Sequence, residues 1–173
     1  MDNDTNNLKE KNVASLRFRF NEKFYQANKT SIAIVMNHFF LRYLNLLYIE
    51  FDGDILLPIV LGEIAHHNIT KFYSHEKKCI KLNVKKGVGY KDLRSFETCN
   101  AYSISEATGI PRETVRRKIG KLVKKGWLLK NANSEVVISQ SVGEYFMNNF
   151  NKELLSELLE ASDCLWELLE ERQ

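Results

Sequence analysis

The stretch GIPRETVRRKIGKLVKKGWLLK, Gly109 to Lys130, packs eight Lys or Arg into 22 residues. It also spaces Val115, Ile119, Leu122 and Val123 along one face of a helix. Arg112, Glu113, Arg116, Arg117, Lys121 and Lys124 lie away from that stripe. Pro111 is preset for a first helical turn, and Gly126 ends the helix. Upstream, AYSISEAT (101–108) predicts a short amphipathic helix that turns Ile104 and Ala107 inward. Ser103 is its expected N-cap, with Glu106 completing a capping box. Gly109 then permits a tight turn, and Ile110 plugs the space between the two helices. Downstream, WLLK, NANS and EVVIS read as strand, turn and strand.

Charge is distributed in a way that suits this reading. The chain of 173 residues has a net charge of +3, but residues 1–70 carry −1, residues 71–130 carry +11 and residues 131–173 carry −7. A basic middle between neutral and acidic ends is what a localised phosphate-binding surface needs. Hydrophobic residues make up 44%, enough for a sizeable core. Cys79, Cys99 and Cys164 are odd in number and widely spaced, which argues against a disulfide framework and fits a reducing cytoplasm. No uncharged apolar run of 18 residues occurs, so no membrane span is expected. The polar opening, residues 1–12, reads as a disordered lead without signal-peptide character.

Outward from the centre, LRFRF (16–20) alternates as a short strand or packing arm does. Residues 29–50 form a helix apolar nearly all round, which needs cover on more than one side. Gly53 in FDGD breaks it, and Asp54 is the expected cap of a second helix running to about Tyr73 with Pro58 near its first turn. CIKLNV (79–84) reads as a strand within an insertion, 74–100. The tail from Val142 to Glu171 predicts one long helix or two, with Leu154, Leu155, Leu158, Leu159, Leu165, Trp166, Leu168 and Leu169 in a broad stripe. Glu153, Glu157, Glu160, Asp163, Glu167 and Glu170 are expected on the opposite face.

The fold class expected is mostly α with a small β-hairpin wing: a winged helix-turn-helix flanked by N- and C-terminal dimerisation helices. The domain plan is a lead at 1–12, an N-terminal helical dimerisation region at 13–73, a DNA-binding region at 74–141 and a C-terminal dimerisation helix at 142–173. SISEATGIPRETVRRKIGKLVKKGWL resembles the DNA-binding unit of bacterial winged-helix transcription regulators. PRETVRRKI is similar to the recognition helix of the cAMP receptor protein and FNR family. That resemblance implies base reading by Arg112, Glu113 and Arg117. Helices on both sides of the motif, and VVISQSVGEYF (136–146), are similar to the MarR family. The chain departs from both: it lacks a β-roll before the motif, and its short wing lacks the Asp-x-Arg tip.

The function expected is sequence-specific double-stranded DNA binding by a homodimer, with residues 111–125 in the major groove. Arg112, Glu113, Arg116 and Arg117 are the candidate base readers. Thr114, Lys118, Lys121, Lys124, Lys125 and Lys130 are the candidate phosphate contacts. Phe39, Leu46, Leu158, Leu165 and Leu169 are the candidate dimer contacts. A small-molecule effector of unknown identity is left open, and the expected location is the cytoplasm. The alternative is a winged-helix module for protein or RNA contacts. His75 and Cys79 have a zinc-compatible spacing but no further ligand nearby, so no metal or cofactor is expected. No nucleophile–base pair or carboxylate dyad stands out, so no enzyme is expected.

Overall fold

The computed structural model describes residues 21–69, 73–76, 79–82 and 96–169, the two short middle segments by their backbone. The lead at 1–12, the LRFRF segment and residues 83–95 of the expected insertion lie outside the described residues. The described chain is mostly helical, with two small antiparallel hairpins. In chain order it runs α1 (Glu22–Glu50), α2 (Leu56–Ile69), β1 (Tyr73–Glu76), β2 (Cys79–Leu82), α3 (Ala101–Thr108), α4 (Arg112–Lys124), β3 (Leu128–Lys130), β4 (Val136–Ile138), α5 (Gln140–Asn148) and α6 (Phe150–Leu169).

It divides into two compact units. One unit, 46–152, holds the core. Phe51, Leu57, Val60 and Ile64 from the first turn and α2 meet Ile104 of α3 and Val115, Ile119 and Leu122 of α4. Leu128, Val136, Ile138 and Val142 close the cluster from the β3–β4 hairpin and α5. Burying a side chain of this size stabilises by about 1.5–3 kcal/mol, so the three from α4 decide which face of that helix turns inward. β3 and β4 pair with Leu128 opposite Ile138 and Lys130 opposite Val136. Cys99 bridges to Val136 on the other side, adding a third extended segment.

Asn68, fully buried at the end of α2, ties these parts together. Its Nδ2 donates to the Glu97 carbonyl at 2.6 Å, and its Oδ1 accepts from the Ile138 amide at 2.9 Å. The Cys99 thiol is buried beside it and pushed up to about 12 by burial, with Glu63 and Glu135 adding to the effect. At neutral pH it is an inert core group.

Two local expectations are corrected, and one left open is decided. The N-cap of α3 is Asn100, whose Oδ1 accepts from the Tyr102 and Ser103 amides, while Ser103 Oγ accepts from the Asn100 amide. The capping box thus sits one turn earlier than Ser103 and Glu106 predict. The second helix stops at Ile69, because Tyr73–Glu76 is drawn into a hairpin with Cys79–Leu82. His75 and Cys79 therefore lie on opposite strands. The tail is two helices, with Ser139 capping α5 and Asn149 ending it.

The other unit is made of residues 1–45 and 153–173. In its described part the α1 and α6 segments run antiparallel: Asn28 Nδ2 donates to the Leu168 carbonyl at 2.9 Å, and Arg42 pairs with Glu157. Glu157 therefore faces α1, contrary to its expected place on the polar face of α6. Ile32 is the one described side chain of this unit that is buried. α1, at 29 residues, is long and apolar enough to cross a bilayer by length and composition, which the absence of an unbroken apolar run had led the sequence reading to discount.

Candidate nucleic-acid interface

The turn between α3 and α4 is fixed by its own side chains. Gly109 takes the left-handed conformation at φ 70°, which an L side chain adopts rarely. Ser105 Oγ donates to the Ile110 carbonyl at 2.8 Å, and Thr108 Oγ1 accepts from the Ile110 amide at 3.2 Å. Pro111 is the N-cap of α4, so its missing N–H costs nothing there. These contacts set the angle at which α4 leaves α3.

With Val115, Ile119 and Leu122 inward, the outer face of α4 carries Arg112, Glu113, Arg116, Arg117, Gly120 and Lys124, all exposed. Arg116 forms a two-point pair with Glu113, at 2.9 Å from Nε and 2.7 Å from the terminal nitrogen. That pair holds the Glu113 carboxyl below its usual range and the guanidinium above its own. Arg112 lies over the Tyr102 ring, 5.9 Å from its centroid. Arg117 has no hydrogen bond or ion pair among the described residues. Thr114 is half-buried on the flank, and Lys130 is exposed at the end of β3.

Three of the lysines expected to meet phosphate face the protein. Lys118 is buried, and its ammonium pairs with Asp54. Lys121 Nζ reaches the other oxygen of the same carboxylate at 2.8 Å. Lys125 Nζ pairs with Asp52 at 2.8 Å and sits 5.1 Å from the Trp127 ring centroid. The reason is the turn after α1. Asp52 and Gly53 both have positive φ, 52° and 79°, and a side chain at Gly53 would meet the Tyr48 ring at 3.2 Å. This reversal turns both carboxylates toward α4. Asp54 goes to these lysines rather than serving as a helix cap. Burial pulls its carboxyl up, but the hydrogen bonds and charges of Lys118 and Lys121 outweigh it and hold the group below its ordinary value.

Of the expected dimer contacts, Leu158 is exposed, while Phe39, Leu46, Leu165 and Leu169 are half-buried within the chain. Phe40, Leu41 and Leu44 of the all-round apolar α1 and Leu155, Leu159 and Trp166 of the α6 stripe are not among the expected dimer contacts, and all six are exposed. Tyr102 was not among the expected site residues, though its signal was available: an aromatic residue in the first turn of the helix that precedes the basic one. Among the described residues, no group of three or more His, Cys, Asp or Glu is placed to hold a metal ion. No protein-family model, curated protein or solved structure matches this chain significantly.

Proposed function

We propose that this chain is a winged helix-turn-helix transcription regulator that binds specific double-stranded DNA as a homodimer, with α4 in the major groove. The observation that carries the reading is the division of α4. One face is core, and the other presents Arg112, Arg116, Arg117 and Lys124 to solvent directly after a rigid turn. The element order supports it. α2, the Cys99 bridge, α3, α4, the β3–β4 hairpin and α5 follow one another as the parts of a winged helix do. In a groove, residues at the N-terminal end of such a helix meet base edges. A guanidinium matches guanine O6 and N7, and a carboxylate accepts from cytosine N4.

The homodimer rests on the other unit. Leu155, Leu158, Leu159 and Trp166 share the outer face of α6, while Glu157 and Leu168 engage α1. Among the described residues these two helices bury a single side chain, Ile32, which does not make a self-sufficient core. A second copy covers such a face as a four-helix arrangement. Two recognition helices then address half-sites about one helical turn, 34–36 Å, apart.

The test is selection of bound duplex fragments, followed by titration of the selected and scrambled duplexes at several salt concentrations. Arg117→Ala is expected to cost on the order of 1–3 kcal/mol on the selected duplex and to flatten discrimination at one base pair. Lys124→Ala is expected to weaken both duplexes alike and to lower the salt slope by about one ion. Light scattering is expected to give a dimer that Leu158→Glu disrupts. No selectable duplex, preference for a matched RNA, or a chain recovered only with lipid would overturn the reading.

A further inference from the structure

Gly120 stands at the crest of the exposed face of α4, one turn after Arg116 and Arg117 and one turn before Lys124. Glycine is the poorest helix former after proline, because it has the most backbone freedom to lose. Nothing among the described residues asks for it here. Its φ is not in the left-handed region, and a Cβ added at Gly120 would meet nothing within 4 Å. The requirement is therefore sought outside the chain. A helix with its side chains is about 10–12 Å across, and the major groove is about 12 Å wide. That fit leaves no slack, so a missing side chain at mid-crest lets the helix axis sit deeper and brings the flanking guanidinium groups to the base edges.

We propose that Gly120 is the point of closest approach between α4 and the nucleic acid, and that its missing side chain sets the docking depth on which base reading depends. This rests on the DNA reading of α4. It predicts an opposition between stability and binding at one residue.

The experiment uses the full chain with Gly120→Ala and, as a control, Gly62→Ala. Gly62 is also an exposed glycine inside a helix with nothing within 4 Å of an added Cβ, but it lies on α2. Both variants are expected to raise the melting midpoint by roughly 2–4 °C, since alanine is the better helix former. Misfolding therefore does not confound the comparison. Gly120→Ala is expected to lose about tenfold in affinity for the selected duplex, the size of one lost base contact, with little loss on the scrambled one. Gly62→Ala is expected to bind as the wild type does. A Gly120→Ala protein that binds the selected duplex like wild type, or an equal loss in Gly62→Ala, overturns the inference while leaving the DNA reading intact. A wild-type chain that binds no duplex overturns both.

Discussion

Replacing Asp54 by Ala tests whether the turn after α1 locks α4 in place. The Lys118 side chain is 7% exposed and that of Asp54 18%. Removing one member of a buried pair costs about 3–5 kcal/mol, because the other charge stays behind without a partner. Asp54 keeps part of its surface in water, and a lysine stem is flexible enough to lift its ammonium outward. The bottom of the range, about 3 kcal/mol, is therefore expected. For a chain of this size that lowers the melting midpoint by roughly 6–12 °C. Urea titration with an unchanged slope reads the same loss at fixed temperature. Asp54→Leu combined with Lys118→Met is expected to recover most of it, since both charges are then gone; Lys121, half exposed, tolerates losing its partner. The pH dependence follows from the depressed carboxyl. Its contribution is fully present above the ordinary value of 3.8 and disappears as pH falls through the lower folded value. The gap between wild type and Asp54→Ala should hold constant at neutral pH and close in acid. A loss below about 1 kcal/mol, the range of surface pairs, would refute the argument.

Asn68→Leu keeps the branched shape of the side chain, with bulkier methyl ends, but strips the Glu97 carbonyl and the Ile138 amide of their partner. At about 1–3 kcal/mol for each unpaired buried group, a loss of roughly 3 kcal/mol in urea titration is expected. Tyr102→Leu removes the ring under Arg112. An exposed cation–π contact is worth about 0.5–1 kcal/mol, so a two- to fivefold loss on the selected duplex is expected, with Tyr102→Phe unaffected.

What the sequence made legible was local. The apolar spacing of Val115, Ile119 and Leu122, the Gly109–Pro111 turn and the Asn131–Ser134 reversal are all short-range signals, and α4 and its hairpin stand where those signals put them. The cap of α3 was displaced by one turn because Asn100 and Ser103 both carry cap chemistry, and the earlier residue follows the extended Cys99. The ion pairs of Lys118, Lys121 and Lys125 were not legible. Their partners lie 64, 67 and 73 positions away; helical spacing sets Lys121 away from the apolar stripe and Lys118 between Val115 and Leu122, but it shows no carboxylate for any of the three. Asn68 was overlooked for the same reason, since its partners come from the segment before α3 and from β4.

Those long-range pairs change what the charge of α4 can do. The +11 carried by residues 71–130 suggests a helix that attracts polyanions along its whole length. Lys118, Lys121 and Lys125 cluster in its second half, and Asp52 and Asp54 meet them there. The cations left unpaired by carboxylates on the outer face are Arg112, Arg117 and Lys124, with Arg116 already oriented by Glu113. Two of these, Arg112 and Arg117, lie in the N-terminal half of the helix, the end that would reach base edges in the proposed groove, and Lys124 stands at the other end. A groove-binding helix gains affinity from every free phosphate contact, but those contacts carry no sequence information. Pairing three lysines with two carboxylates cancels two of their three charges, which lowers indiscriminate attraction and gives α4 a fixed orientation in the same step. The wild-type salt slope should accordingly be smaller than the lysine content of α4 implies, and Asp52→Asn, which releases Lys125, should steepen it and tighten scrambled duplexes more than the selected one. An unchanged slope in Asp52→Asn would mean that Lys125 never competes for phosphate, and that the turn serves only to hold the helix.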